Sequence, residues 1–64
     1  MKRYKVIEVI DLLKKEGWHI DRWNGDHRQF NHPVKKGTVT VAGKPSVVLS
    51  QESLNNIWKQ AGWR

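Results

Sequence analysis

The sequence contains no cysteine, and its longest uninterrupted apolar run is only three residues, Val47 to Leu49. The absence of cysteine excludes disulfide scaffolds, cysteine-ligated zinc sites and cysteine nucleophiles. No run approaches the length of a membrane-spanning helix or of the apolar core of a signal peptide. We therefore expect a cytoplasmic protein that has no membrane partner.

The chain is short and can form only a small core. Its 64 residues correspond to a single domain, residues 1–64, with no room for a second. A chain of this size buries roughly 60% of the surface that it exposes when unfolded, so its core is thin and any site lies on the surface or is shared with a partner. Hydrophobic residues make up 38% and charged residues 28%, a balance typical of a globular domain.

Negative charge is scarce, whereas positive charge and tryptophan are plentiful. Twelve Lys and Arg residues face six Asp and Glu residues, which gives a formal net charge of +6. Such an excess on a small domain indicates a polyanionic partner, most often nucleic acid. The four tryptophans cannot all lie in so small a core, and an exposed aromatic ring beside basic residues can stack on unpaired bases.

The hydrophobic periodicity predicts two helices around three strands. The predicted elements are a helix over Met1–Glu16, strands over Trp18–Asn24, His27–His32 and Thr38–Ala42, and a second helix over Ser50–Ala61. Asn24-Gly25 is a strong hairpin signal between the first two strands. The first helix lacks a good capping residue, so we expect its start to fray. The fold class is α+β in the order α-β-β-β-α, an antiparallel sheet with both helices on one face.

Strand alternation assigns side chains to the two faces of the sheet. Trp18 and Ile20 are predicted to face the core, and Trp23 to face outward, where it is a candidate for stacking on bases. Arg28 shares a face with Phe30, so we expect its long side chain to lie at the rim of the sheet and to reach solvent.

Three histidines are the only side chains that ordinarily titrate near neutral pH. His19 is predicted to be a solvated strand residue, and His32, before a proline at a strand end, to be structural. A zinc site needs three or four converging ligands, and His27 and His32 point to opposite faces of their strand. We therefore expect neither a metal site nor a cofactor.

His27 follows the Gly25 turn and lies between Asp26 and Arg28. A histidine on a turn beside cations is suited to general acid–base work on a phosphodiester. RNA carries its own nucleophile, the 2′-hydroxyl, so one base and stabilising cations suffice for cleavage without a metal. Position and composition alone favour a solvated turn histidine over a catalytic one.

Five short motifs, in order and at matching spacing, resemble the HicA (YcfA-like) family of bacterial toxins. They are Gly17-Trp18, Arg22, the run from Gly25 to Pro33, the strand Thr38 to Val41, and the segment Ile57 to Gly62. The resemblance implies a fold like that of double-stranded-RNA-binding domains, a ribonuclease that cleaves mRNA, and inhibition by a HicB-type antitoxin. The catalytic histidine of the family maps onto His27. The family's usual serine before that histidine is Asp26 here, which puts the level of activity in question.

The predicted RNA-binding residues are five of the cations and one tryptophan: Arg22, Trp23, Arg28, Lys35, Lys36 and Lys44. Two alternatives stay open: a non-catalytic RNA-binding module of the same fold, and a small protein that binds DNA or another protein. Lys59 is the only cation of the second predicted helix, which disfavours its entry into a DNA major groove.

Overall fold

The computed structural model describes residues 3–63, which form two helices and one three-stranded antiparallel sheet in the strand order β1-β2-β3. The elements are α1 (Val6–Lys15), β1 (His19–Asn24), β2 (His27–Asn31), β3 (Val39–Ala42) and α2 (Gln51–Gln60). The predicted α-β-β-β-α order is confirmed. The first predicted helix began at Met1, which lies with Lys2 outside the described residues, and α1 itself begins at Val6.

The core lies between the helices and one face of the sheet. It consists of Val6, Val9, Ile10, Leu13, Trp18, Phe30, Val39, Val41, Leu54, Ile57 and Ala61. Full burial of a side chain the size of leucine stabilises the fold by about 1.5–3 kcal/mol, so the α1 stripe is a main source of stability. Trp58 and Trp63 are half-buried and pack on this core. Neither helix in residues 3–63 has the length and apolar character needed to cross a membrane.

The start of α1 is held by a segment that is distant in the sequence. The main-chain N–H of Val6 donates to the carbonyl of Val47 at 2.9 Å, and that of Ile7 donates to the carbonyl of Pro45 at 3.1 Å. The Glu8 side chain accepts a further bond from the Lys5 N–H at 2.8 Å. These bonds occupy N–H groups that a helix start leaves free. The expectation of a frayed start considered local capping alone, whereas these longer-range bonds hold the first turn in the structure.

The start of α2 is capped locally, as predicted. The hydroxyl of Ser50 accepts a bond from the main-chain N–H of Ser53 at 3.2 Å. Glu52 lies in the first turn, where a carboxylate interacts favourably with the positive end of the helix dipole.

β1 is an outer strand, and all six of its residues are exposed. Ile20 stands opposite the buried Phe30 and therefore lies on the helix-side face, as predicted, but it is 36% exposed and does not belong to the core. The helices pack mainly over β3, at the other edge of the sheet, so they leave β1 largely uncovered. After Ile20 the pairing shifts, so that Arg22 stands opposite Gln29 and Trp23 stands opposite Arg28. This irregularity around Asp21 interrupts the simple alternation and places Trp23 on the helix-side face.

His32 joins the end of α1 to the segment after β2. Its Nδ1 accepts bonds from the main-chain N–H groups of Val34 and Lys35, at 3.0 and 3.1 Å. Its Nε2 lies 2.9 Å from the carbonyl oxygen of Glu16, so the network assigns the ring proton to Nε2. A Cβ at Gly17 would lie 3.0 Å from that nitrogen, and Gly17 also has a φ of +94°. The structural role predicted for His32 is confirmed by these contacts.

Candidate functional site

His27 opens β2 directly after the turn at Gly25, which has a φ of +59°. In the sheet it stands opposite Asn24 on one side and Ala42 on the other. The alternating burial of β2 places Arg28 and Phe30 toward the helices, and therefore places His27 on the face that the helices do not cover. Within the described residues its exposed ring makes no hydrogen bond, so both ring nitrogens are available to a ligand.

An open depression of about 510 Å³ surrounds His27 on this helix-free face. It is lined by Arg22, Trp23, Asn24, His27, Gln29 and Thr40. The structure therefore brings two predicted residues, Arg22 and Trp23, to the candidate catalytic histidine. It adds Asn24, Gln29 and Thr40, which sequence reasoning missed. Extending the strand register from the Asn24-Gly25 turn could have found the first two of these, because hairpin geometry fixes which residues stand opposite one another.

Arg28 is not at the rim of the sheet and does not reach solvent, so that expectation is wrong. Its side chain is buried, with 6% of its surface exposed. The guanidinium donates from Nη1 to the carbonyl of Gly43 at 2.9 Å and lies 4.8 Å from the ring centre of Trp23. The loop after β3 and the Trp23 ring close over the side chain. Arg28 therefore packs on the helix-side face of the hairpin, and its guanidinium is not exposed to a phosphate at the surface.

Trp23 is exposed, but the prediction that it faces outward, away from the core side of the sheet, is wrong, because it stands opposite the buried Arg28. Trp23 also holds the hairpin turn. Its side chain is 63% exposed, and its indole N–H donates to the carbonyl of Gly25 at 2.8 Å. Trp23 stands opposite Arg28, so its side chain belongs to the same face of the sheet as the guanidinium. The N–H of Gly43 donates to the carbonyl of Asp26 at 3.0 Å and ties the turn to the end of β3. These contacts hold the turn that precedes His27.

The predicted lysines lie at two ends of the sheet. Lys44 follows Gly43 and is therefore at the His27 end. Lys35 and Lys36 come after the far end of β2, and Lys35 Nζ lies 3.4 Å from the carbonyl oxygen of Ala61. A strand rises about 3.3 Å per residue, so the length of β2 separates these two lysines from His27. The structure brings Arg22 into the depression with His27, whereas Lys44 lies at the same end of the sheet without lining the depression, and Lys35 and Lys36 lie at the other end.

No group of three or more His, Asp or Glu side chains between residues 3 and 63 converges as metal ligands do.

The other two histidines differ from His27 in their surroundings. His32 uses both ring nitrogens within the protein. His19 is exposed and stands opposite Asn31, at the end of the sheet away from the Gly25 turn.

A family model described as the HicA toxin of bacterial toxin–antitoxin systems matches residues 7–63. The chain belongs to the HicA toxin family. The match includes all three strands, α2 and all but the first residue of α1. A search of curated proteins found no match. Membership in the HicA family makes this chain a toxin domain of a toxin–antitoxin system, which implies an antitoxin partner, and the sequence resemblance is confirmed.

For a HicA toxin, the arrangement around His27 offers two chemical functions within one depression. An imidazole with both nitrogens available can accept or donate a proton, and the permanently charged guanidinium of Arg22 can stabilise an anion. Asp26, where the family's usual residue is serine, is exposed and comes immediately before His27.

Proposed function

We propose that this HicA-family chain is an endoribonuclease that cleaves mRNA without a metal cofactor, with His27 as the general acid or base. The observation that carries the proposal is the free, exposed ring of His27 beside Arg22 in the depression on the helix-free face. Family membership supports a toxic activity, and the charge of +6 supports a polyanionic substrate.

The proposed reaction uses the nucleophile of the RNA itself. His27 takes the proton from a 2′-hydroxyl, and the 2′-oxygen attacks the adjacent phosphorus. The bond from phosphorus to the 5′-oxygen breaks, which leaves a 2′,3′-cyclic phosphate on one product. The 5′-oxygen leaves with a proton supplied by protonated His27 or by water. Arg22 stabilises the charge that develops on the phosphoryl oxygens.

His27 is favoured over the other two histidines by its surroundings. The nitrogens of His32 are already bonded within the protein, so that ring is not free to exchange a proton with RNA. His19 is exposed but lies at the other end of the sheet and does not line the depression. His19 is therefore a matched control for His27, since it has the same side chain and similar exposure.

A second candidate function, RNA binding without cleavage, is favoured by Asp26. Its carboxylate lies next in the chain to His27, where negative charge repels phosphate. The same neighbour can also orient the His27 ring, which would assist catalysis. A direct measurement of cleavage distinguishes the two functions.

We further propose that the partner is a HicB-type antitoxin that inhibits by covering His27 and the cations around it. The depression is small enough for one protein to cover. A basic protein attracts an acidic partner rapidly, and an exposed tryptophan such as Trp23 is a common centre of binding energy.

The chemistry of the product ends tests the proposed function. Purified protein is incubated with single-stranded RNA in excess EDTA, and the cut sites and end groups are mapped. We expect 2′,3′-cyclic phosphate or its hydrolysis product on one fragment and 5′-hydroxyl on the other. A single 2′-deoxy nucleotide at the mapped site is the control and should abolish the cut there. Fragments with 3′-hydroxyl and 5′-phosphate ends would contradict the mechanism, and binding without any cleavage would favour the non-catalytic module.

A further inference from the structure

A row of polar side chains crosses the helix-free face of the sheet beside His27. Arg22 of β1 stands opposite Gln29 of β2, and Gln29 stands opposite Thr40 of β3. Residues that stand opposite each other in an antiparallel sheet present their side chains on the same face. Adjacent strands are about 4.8 Å apart, so the row extends for about 10 Å across the sheet. We call Arg22, Gln29 and Thr40 the polar row.

The hydrogen-bonding groups of the polar row are largely unused by the protein. Within the described chain, the side chains of Arg22 and Gln29 make no hydrogen bond or ion pair, and both are exposed. Their backbones are paired with each other in the ladder between β1 and β2. All three residues line the same depression as His27. The side chains therefore present donors and acceptors from a rigid support to whatever occupies the depression.

The polar row differs from an aromatic platform for nucleic acid. Phe30 stands opposite Ile20, and Trp23 stands opposite Arg28, so the aromatic side chains of these strands belong to the helix-side face. Trp23 lines the depression from β1, and the other lining side chains offer hydrogen bonds and charge. Unpaired bases expose their hydrogen-bonding edges, whereas a duplex uses those edges for pairing.

We infer that the polar row is the subsite for a nucleotide of single-stranded RNA next to the scissile phosphate, and that Gln29 reads its base. The inference rests on the proposed function of His27. His27 and Gln29 are two residues apart on one face of β2, which places their Cα atoms about 7 Å apart. The guanidinium of Arg22 contacts a phosphate, and the amide of Gln29 donates to and accepts from one base edge. A glutamine amide can pair in this bidentate way with adenine.

Sequence preference of the cuts tests this assignment. The parent protein, Gln29→Leu and Gln51→Leu are each given a pool of RNAs randomised over the cleaved region, and the cut sites are sequenced. Gln51 is the matched control, because it is an exposed glutamine on α2 whose amide bonds Asn55 at 3.0 Å. We expect Gln29→Leu to lose about 10-fold in base preference at one position beside the cut. Gln51→Leu should keep the parent pattern.

An unchanged cut pattern in Gln29→Leu, alongside a parent protein that cleaves, would overturn the role of Gln29 and leave the proposed function standing.

A binding map gives a readout that does not depend on cleavage. His27→Ala is titrated with a short single-stranded RNA while main-chain NMR signals are followed. Shifts centred on Arg22, Gln29 and Thr40 support the subsite even if the parent cuts no RNA, in which case only the proposed function fails. Shifts confined to α1 and α2 would overturn the subsite.

Discussion

Two side chains on the helix-side face of the hairpin contact the turn before His27 and the loop after β3. The Trp23 indole donates to the Gly25 carbonyl, and its ring lies against the guanidinium of Arg28. Arg28 in turn bonds the Gly43 carbonyl. Both residues fitted an RNA-contacting role from the sequence, since tryptophan and arginine often contact nucleic acid. Their contacts within the protein instead support a role in positioning the turn that carries His27.

Trp23→Phe separates these contacts, because phenylalanine keeps a ring for Arg28 but lacks the indole N–H. We expect faster amide hydrogen exchange over residues 25–28 and a single-turnover cleavage rate lowered by roughly 10-fold, because small displacements of a reacting group are costly. The loss of one exposed hydrogen bond should destabilise the fold by only about 1 kcal/mol.

Trp63→Phe is the matched control for this change, since Trp63 packs on Trp58 and makes no contact with the turn. Exchange over the turn should stay at the parent level in that variant. If Trp23→Phe also left exchange and cleavage at parent levels, the indole bond would have no positioning role.

The elements with strong local signals could be predicted from the sequence. The apolar stripe of α1 is buried at Val6, Val9, Ile10 and Leu13, as its helical spacing indicates. Ser50 caps α2, and the Asn24-Gly25 turn joins β1 to β2. In each case the residues that form the structure are close in the sequence, so periodicity and turn chemistry are sufficient.

The features that could not be predicted depend on distant partners or on irregular pairing. Arg28 is buried because Gly43, on another strand end, accepts its hydrogen bond. The start of α1 is held by carbonyls at Pro45 and Val47. The exposure of Ile20 follows from the outer position of β1 and from helices that pack over the opposite edge. Strand alternation contains no information on any of these contacts.

The residues of the candidate site also divide into those with a local sequence signal and those without one. His27 and Arg22 could be singled out from residue type, the turn and the family motifs. The side chains that complete the depression, Gln29 and Thr40, come from different strands and carry no motif of their own. Their proximity to His27 follows from the register of the sheet.

On the scale of the whole molecule, cationic side chains lie at both ends of the sheet, but the candidate catalytic residues His27 and Arg22 lie at one end only. An antitoxin that acts by occlusion should therefore protect that end. In a complex with the cognate antitoxin, we expect slowed hydrogen exchange centred on residues 23–29, because the depression around His27 lies there. Free toxin at the same pH and temperature is the reference. Protection confined to α1, with the turn still exchanging freely, would contradict occlusion and indicate an indirect mechanism.

We propose that His27 catalyses RNA cleavage, and a comparison of two histidine variants with the parent protein tests this role. Single-turnover cleavage of one RNA is measured for the parent, His27→Ala and His19→Ala, with thermal unfolding as a check on the fold. Both histidines are exposed strand residues, so neither change should cost much stability. We expect His27→Ala to lose cleavage by at least about 100-fold, as is typical of a general acid–base group, while His19→Ala cleaves like the parent. A folded His27→Ala protein that cleaves at the parent rate would overturn the catalytic role of His27.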